Sequence, residues 1–277
     1  NCTTQFCKQR RLACVALPNS YLLRSTLLTF AMLLYLKNGI ICLLLFCCCT
    51  QQLSAQRKME KLNRGTVAVR VNSSSVFISW RLFGTETNST AFNIYRDDVK
   101  LNAQPITGAT NYTDQTTANG VYKVKAVVNG VEESNTVTAT VWAKQYMQIP
   151  IQQPAVGTTP DAVAYTYTAN DASVGDVDGD GVYEVFVHMT GKARDNSQAG
   201  ITDPPIFQCY KIDGTFLWEI NLGKNIREGA HYTQFMVYDL DGDGKAEIAM
   251  KTADDTVDAK GTVVGDATKD YRNERGY

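Results

Sequence analysis

From Thr66 to Trp142 apolar residues recur at alternate positions. Val67, Val69 and Val71 fall on one face of an extended segment. Val76, Ile78, Trp80 and Leu82 fall on another, and Tyr122, Val124, Ala126 and Val128 on a third. Successive side chains of a strand point to opposite faces, so each run predicts one half-buried β-strand. No helical period competes. Polar turn residues separate the runs at Asn72 to Ser75, at Thr85 to Ser89 and at Asn129-Gly130. The last pair is a strong signal for a two-residue hairpin.

Several short strands at this spacing, with Trp80 as a core candidate and Tyr95 and Tyr122 further on, predict a fibronectin type III-like β-sandwich over residues 58–145. No chemistry attaches to it, and a spacer or packing platform is its expected role.

The second half of the chain repeats itself. Gly175-Asp176-Val177-Asp178-Gly179-Asp180-Gly181-Val182-Tyr183-Glu184-Val185 returns, 63 residues later, as Tyr238-Asp239-Leu240-Asp241-Gly242-Asp243-Gly244-Lys245-Ala246-Glu247-Ile248. A repeat of that length built from short strands predicts the blades of a β-propeller over 146–277, each unit burying its faces against its neighbours. Within each copy, carboxylates at loop positions one, three and five converge because glycines at four and six permit a tight turn. Position seven offers a backbone carbonyl, and a further carboxylate follows at nine. Oxygen donors with several negative charges suit a hard cation, and Ca2+ is expected. The predicted ligands are Asp176, Asp178, Asp180, the carbonyl of Val182 and Glu184 in the first loop. Asp239, Asp241, Asp243, the carbonyl of Lys245 and Glu247 are those of the second. Without a cation each loop would crowd like charges. An EF-hand requires Glu at position twelve and flanking helices, whereas Val187 and Met250 stand there and the flanks are β in character.

Composition narrows the partners. Lys plus Arg number 27 and Asp plus Glu 28, leaving no basic excess to attract nucleic acid or an anionic membrane, so any polyanion must be met locally. Seven of the eight cysteines precede residue 50; Cys209 alone lies beyond it and reads as a core residue rather than half of a disulfide. The first Met is Met32. After it come Lys37, an apolar run from Ile40 to Cys49 and a polar stretch ending Leu53-Ser54-Ala55, the pattern of a secretory signal peptide cleaved after Ala55. The run is short of the roughly 20 residues a membrane span needs. Lipid attachment through Cys47 to Cys49 is disfavoured by bulky Phe46. Residues 1–55 are therefore upstream segment and signal. The remainder is expected to be secreted or periplasmic, monomeric and without a membrane span, in a compartment where calcium is plentiful.

The stretch Asn170 to Asp176, the doubled loops, Asn225-Ile226-Arg227-Glu228-Gly229-Ala230-His231-Tyr232-Thr233-Gln234-Phe235-Met236 and Lys251-Thr252-Ala253-Asp254 resemble the rhamnogalacturonan lyases of polysaccharide lyase family 11. The resemblance runs from about Met59 to Tyr277. It implies an eight-bladed propeller that cleaves the rhamnogalacturonan I backbone of pectin by calcium-assisted β-elimination. It also implies that Asp171 joins the first calcium site and that Asn170 faces the substrate groove. Where relatives carry a Trp-Asp pair after the strand that leaves the first loop, this chain has His188-Met189-Thr190-Gly191, so Thr190 replaces an Asp that would touch substrate. Residues after Tyr146 suffice for only about two blades. The catalytic base is therefore expected beyond Tyr277, in a chain that is an inactive fragment. A non-catalytic calcium-dependent carbohydrate-binding or adhesion propeller is the alternative.

Four further residues invite chemistry. His188 reads as a satisfied strand residue, while His231 is balanced between a site role and packing. Arg227 is balanced between galacturonate recognition and a surface ion pair. Lys251 reads as structural, and Trp218 as blade core.

Overall fold

The alternating pattern and turn residues give strands throughout. The computed structural model describes residues 61–134, 136–195 and 197–272; the predicted export signal and residues 273–277 lie outside them. Among the described residues there is no helix, and none therefore long and apolar enough to cross a membrane. The first half contains β1 (Val67–Asn72), β2 (Ser75–Ser79), β3 (Ala91–Arg96), β4 (Val99–Lys100), β5 (Asn111–Gln115), β6 (Val121–Val128), β7 (Val131–Glu132) and β8 (Thr138–Trp142). They pair in the order β4-β3-β6-β8-β1-β2-β5, with β7 added to β6.

The strand β8 curls this sheet. Its first part pairs antiparallel with β6 at Thr138 to Thr140, and its end pairs parallel with β1 at Val141 and Trp142. Both wings then face one core of Ala68, Val76, Ile78, Trp80, Phe92, Ile94, Tyr122, Val124 and Ala126, with Trp80 edge-on to Phe92 at 5.2 Å. The predicted hairpin is present: Asn129 and Gly130 have φ of 52° and 80°, the left-handed pair that joins twisted strands. The predicted face of β1 is reversed. Ala68 is the core residue, Val67 and Val69 are half-buried and Val71 is exposed. Leu82 and Val128 also escape the core because their strands end before or at them.

The second half contains β9 (Gly157–Thr158), β10 (Ala164–Tyr165), β11 (Thr168–Gly175), β12 (Glu184–Thr190), β13 (Ile206–Tyr210), β14 (Phe216–Asn221), β15 (Phe235–Tyr238), β16 (Glu247–Met250), β17 (Thr256–Val257) and β18 (Val263–Val264). Strands β11 to β14 form an antiparallel meander that β17 and β18 extend, while β15 and β16 make a separate hairpin. Within the meander β13 is buried on both faces, which is why it reads Ile-Phe-Gln-Cys-Tyr without a charged residue. One face packs Tyr167, Val187, Met189, Ile206 and Tyr210. The other carries Phe207 with Leu222 and Ile226. Cys209 is fully buried, as expected of a core residue, and burial pushes its thiol up to about 12.

The two halves touch at the first acidic loop. The Asn63 N–H donates to the Gly181 carbonyl at 2.8 Å, and the Arg81 guanidinium lies 4.6 Å from the centre of the Tyr183 ring.

Candidate functional site

Each acidic loop closes a hairpin. The first spans the turn from β11 to β12 beside the Gly175–Glu184 pair, and the second the turn from β15 to β16 beside Tyr238–Glu247. Their internal hydrogen bonds are the same, residue for residue. Asp176 accepts from the N–H groups of Gly179 and Gly181, both at 2.8 Å, as Asp239 accepts from Gly242 and Gly244 at 2.6 and 3.1 Å. Asp180 accepts from Val182, and Asp243 from Lys245. Glu184 and Glu247 each reach back to the residue after the first Asp, accepting from Val177 and Leu240 at 2.8 Å. The four loop glycines all have φ between 77° and 97°, a conformation that side chains strain to adopt.

These bonds bring oxygen atoms of Asp176, Asp178 and Glu184 within 4.8 Å of one another, and likewise those of Asp239, Asp241 and Glu247. The converging sets do not include Asp180, Asp243 or Asp171. Glu184 is almost fully buried. Burial pushes its carboxyl above the usual range, and the charges of Asp178, Asp180 and Asp176 add to the effect. A buried carboxylate among carboxylates is a donor set that fits a hard divalent cation. The surroundings of the loops differ, Glu184 being buried and Glu247 half-buried. Lys211 sets its ammonium 2.6 Å from Asp178 and 3.6 Å from Asp180. They are also joined, since the Ala246 N–H donates to the Asp176 carbonyl at 2.7 Å.

Asn170 and Asp171 lie elsewhere. The register of β11 against β12 shifts between Ala169 and Ala172, a bulge that places both residues on the wall of a cleft of about 740 Å³. His188, Asp195, Glu228 and Gln234 share that wall. His188 is buried, with Nε2 2.8 Å from Glu228 Oε2 and its ring stacked on Phe207 at 4.7 Å. The other oxygen of Glu228 accepts the Thr233 hydroxyl at 3.0 Å. This matches the reading of His188 as a satisfied strand residue, but its partner, 40 positions away, had no local signal. His231 is exposed and pairs with Asp195. Trp218 is half-buried, edge-on to Phe186 at 5.5 Å. Thr190 ends β12 outside this wall.

A second cleft, of about 520 Å³, opens between the segments 224–227, 251–253 and 271–272. Lys224, Arg227, Lys251 and Arg272 line it, around Tyr232.

Behind Glu228 is Asp203, also buried. Burial and then the Glu228 charge push its carboxyl up, against N–H donors of Lys192 and Gly191. The folded chain thus holds this proton to higher pH than the unfolded one, so its contribution to stability falls as pH rises from the ordinary carboxylate value to the raised one. Urea unfolding across that interval should show the wild type losing stability relative to Asp203→Asn as pH rises. Parallel pH profiles would contradict this.

Sequence comparison places these features in a family. The model "Rhamnogalacturonan I lyases beta-sheet domain" matches residues 57–142, and "Rhamnogalacturonan lyase family 11, C-terminal domain" matches 146–277. The chain belongs to rhamnogalacturonan lyase family 11. It is 58% identical over 224 residues to the rhamnogalacturonan endolyase YesW of Bacillus subtilis, and 53% over 223 to the exolyase YesX of the same organism. Each match covers 80% of this chain and 36% of the relative, so the chain spans about a third of the length of these proteins. Among solved structures, exotype YesX superposes with a TM-score of 0.76 at 54% identity, covering 79% of this chain and 37% of that one. The Bacillus licheniformis lyase PL11 superposes at 0.75 with 58% identity, covering 79% and 38%.

Proposed function

We infer that this chain is part of a secreted or periplasmic rhamnogalacturonan lyase acting on the rhamnose–galacturonate backbone of pectin. The observation that carries the reading is the tandem match of both halves to lyase families, at 58% identity to an endolyase over 224 residues. On this reading the curled sheet is the fibronectin type III-like platform. The meander β11 to β14 is the first blade of an eight-bladed propeller, and the chain acts as a monomer.

Asp176, Asp178 and Glu184 would hold one calcium ion and Asp239, Asp241 and Glu247 another, each pinning a blade hairpin. Bound near a galacturonate carboxylate, such an ion supplies charge neutralisation that makes the C5 proton easier to remove. In the elimination itself a base takes that proton, the C–H electrons form the C4–C5 double bond, and the C4–O bond breaks to an alcohol that gains a proton. The base is assigned to the part of the relatives' length that this chain does not match.

The test follows ultraviolet absorbance of the unsaturated uronate from rhamnogalacturonan I. A version extended to the relatives' length should generate it, and this chain alone should not. New reducing ends without that absorbance from the extended protein would refute the lyase reading. Turnover by the present chain would refute the assignment of the base.

A further inference from the structure

The basic cleft is built from side chains that have no evident structural need to meet. Its three segments bring two lysines and two arginines together, and none of its lining residues is acidic. The chain as a whole carries a formal charge of only −1, so this concentration of positive charge is local. Two of the cations are balanced from behind, Lys224 by Asp255 at 2.9 Å and Arg272 by Asp270. Arg227 is aimed by main-chain oxygens, donating to the carbonyls of Gly200 at 2.8 Å and Gln198. Lys251 is exposed and has no acidic partner among the described residues. Its ammonium and the Arg227 guanidinium lie 5.6 and 5.5 Å from the centre of the same ring, that of Tyr232. One ring attracts each cation but leaves their mutual repulsion in place. An anion set between them removes it.

We propose that this cleft binds an acidic sugar, its carboxylate received by Lys251 and Arg227 and its ring lying against Tyr232 and the apolar side of Ile226 and Ala253. A pyranose has C–H faces that pack on an aromatic ring, which distinguishes it from a small inorganic anion. The cleft beside His188 is the less favourable place for a carboxylate, since Asp171, Asp195 and Glu228 line it. The proposal rests on the reading of the substrate as a pectic polyanion, and it makes Lys251 a binding residue where its sequence context suggested only a structural one.

Titration calorimetry with rhamnogalacturonan I oligosaccharides, under chelation so that no metal bridge contributes, tests it. Lys251→Ala should weaken binding about tenfold, the scale of one charge-assisted hydrogen bond, and Lys251→Arg should restore most of it. Oligosaccharides whose galacturonate has been reduced to galactose should bind the wild type no better than the native sugar binds the alanine variant. Lys251 is exposed, so both variants should fold as the wild type does by circular dichroism. Equal affinity of wild type and Lys251→Ala overturns the proposal, as does undiminished binding of the reduced sugar or no binding by the wild type. The lyase reading fails on a different observation, the absence of unsaturated product from the extended protein.

Discussion

Asp176→Ala will destabilise the chain by about 1–3 kcal/mol, because the buried N–H of Gly181 loses its acceptor and an orphaned buried donor costs about that much, while the exposed Gly179 N–H can turn to water. Asp176 is fully buried. Its two oxygens hold Gly179 and Gly181 in the left-handed conformation the loop requires, and its own carbonyl receives Ala246 from the second loop. Such a loss is a large fraction of the roughly 5–15 kcal/mol that holds a domain together. Calcium should raise the urea midpoint of the wild type by mass action. Part of that response should disappear in Asp176→Ala, and a comparable part in Asp239→Ala, its counterpart in the second loop. A variant that unfolds with the wild type, or that keeps the full calcium response, would show that Asp176 neither organises the loop nor supplies a ligand.

The acidic loops were legible because the hydrogen bonds that turn them are local. Carboxylates two residues apart and glycines at fixed positions dictate which N–H groups turn inward, and the structure repeats those bonds in both copies. The same holds for Asn129-Gly130, whose left-handed backbone is a property of those two residues. The face of β1 was misread for an equally physical reason. This strand is paired on both edges, with β2 antiparallel and β8 parallel, and its residues on both faces are partly buried. The narrow core side takes the small Ala68, while the larger Val67 and Val69 stay half-buried opposite. A pattern of large apolar residues points to the wrong face when the core position is the small one.

What the sequence could not display is adjacency between distant segments. The bulge at Asn170 and Asp171 depends on how β11 is laid against β12, and it carries Asp171 into the cleft wall instead of into the converging carboxylates of the loop. The His188–Glu228 pair joins a strand to a loop beyond the next two strands. The basic cleft draws on three separated segments, each unremarkable alone, and Lys251 acquires a role only when Arg227 is brought to the same Tyr232 ring.

Phe207 ties the core to that cleft wall, and Phe207→Ala is expected to cost about 3–5 kcal/mol, the range for emptying a buried aromatic position. Its side chain is fully buried in the central strand of the meander. On one side it packs with Leu222 and Ile226, on another it meets Phe235 edge-on at 4.9 Å, and the His188 imidazole lies flat against it, 11° from parallel. Truncation therefore opens a cavity directly under the imidazole that Glu228 holds, and the loss should reach the cleft as well as the core. Two measurements separate these effects. Urea unfolding gives the global cost, for which Val131→Ala at an exposed hairpin position should stay within about 0.5 kcal/mol of the wild type. Imidazole proton resonances report the environment of His188, which should shift in Phe207→Ala and hold still in Val131→Ala. A cost below about 1 kcal/mol would place the site outside the costly range for large-to-small core substitutions. Unmoved His188 resonances in a destabilised variant would mean that Glu228 alone fixes the ring, and that the aromatic stack under the cleft supports the sheet but not the site.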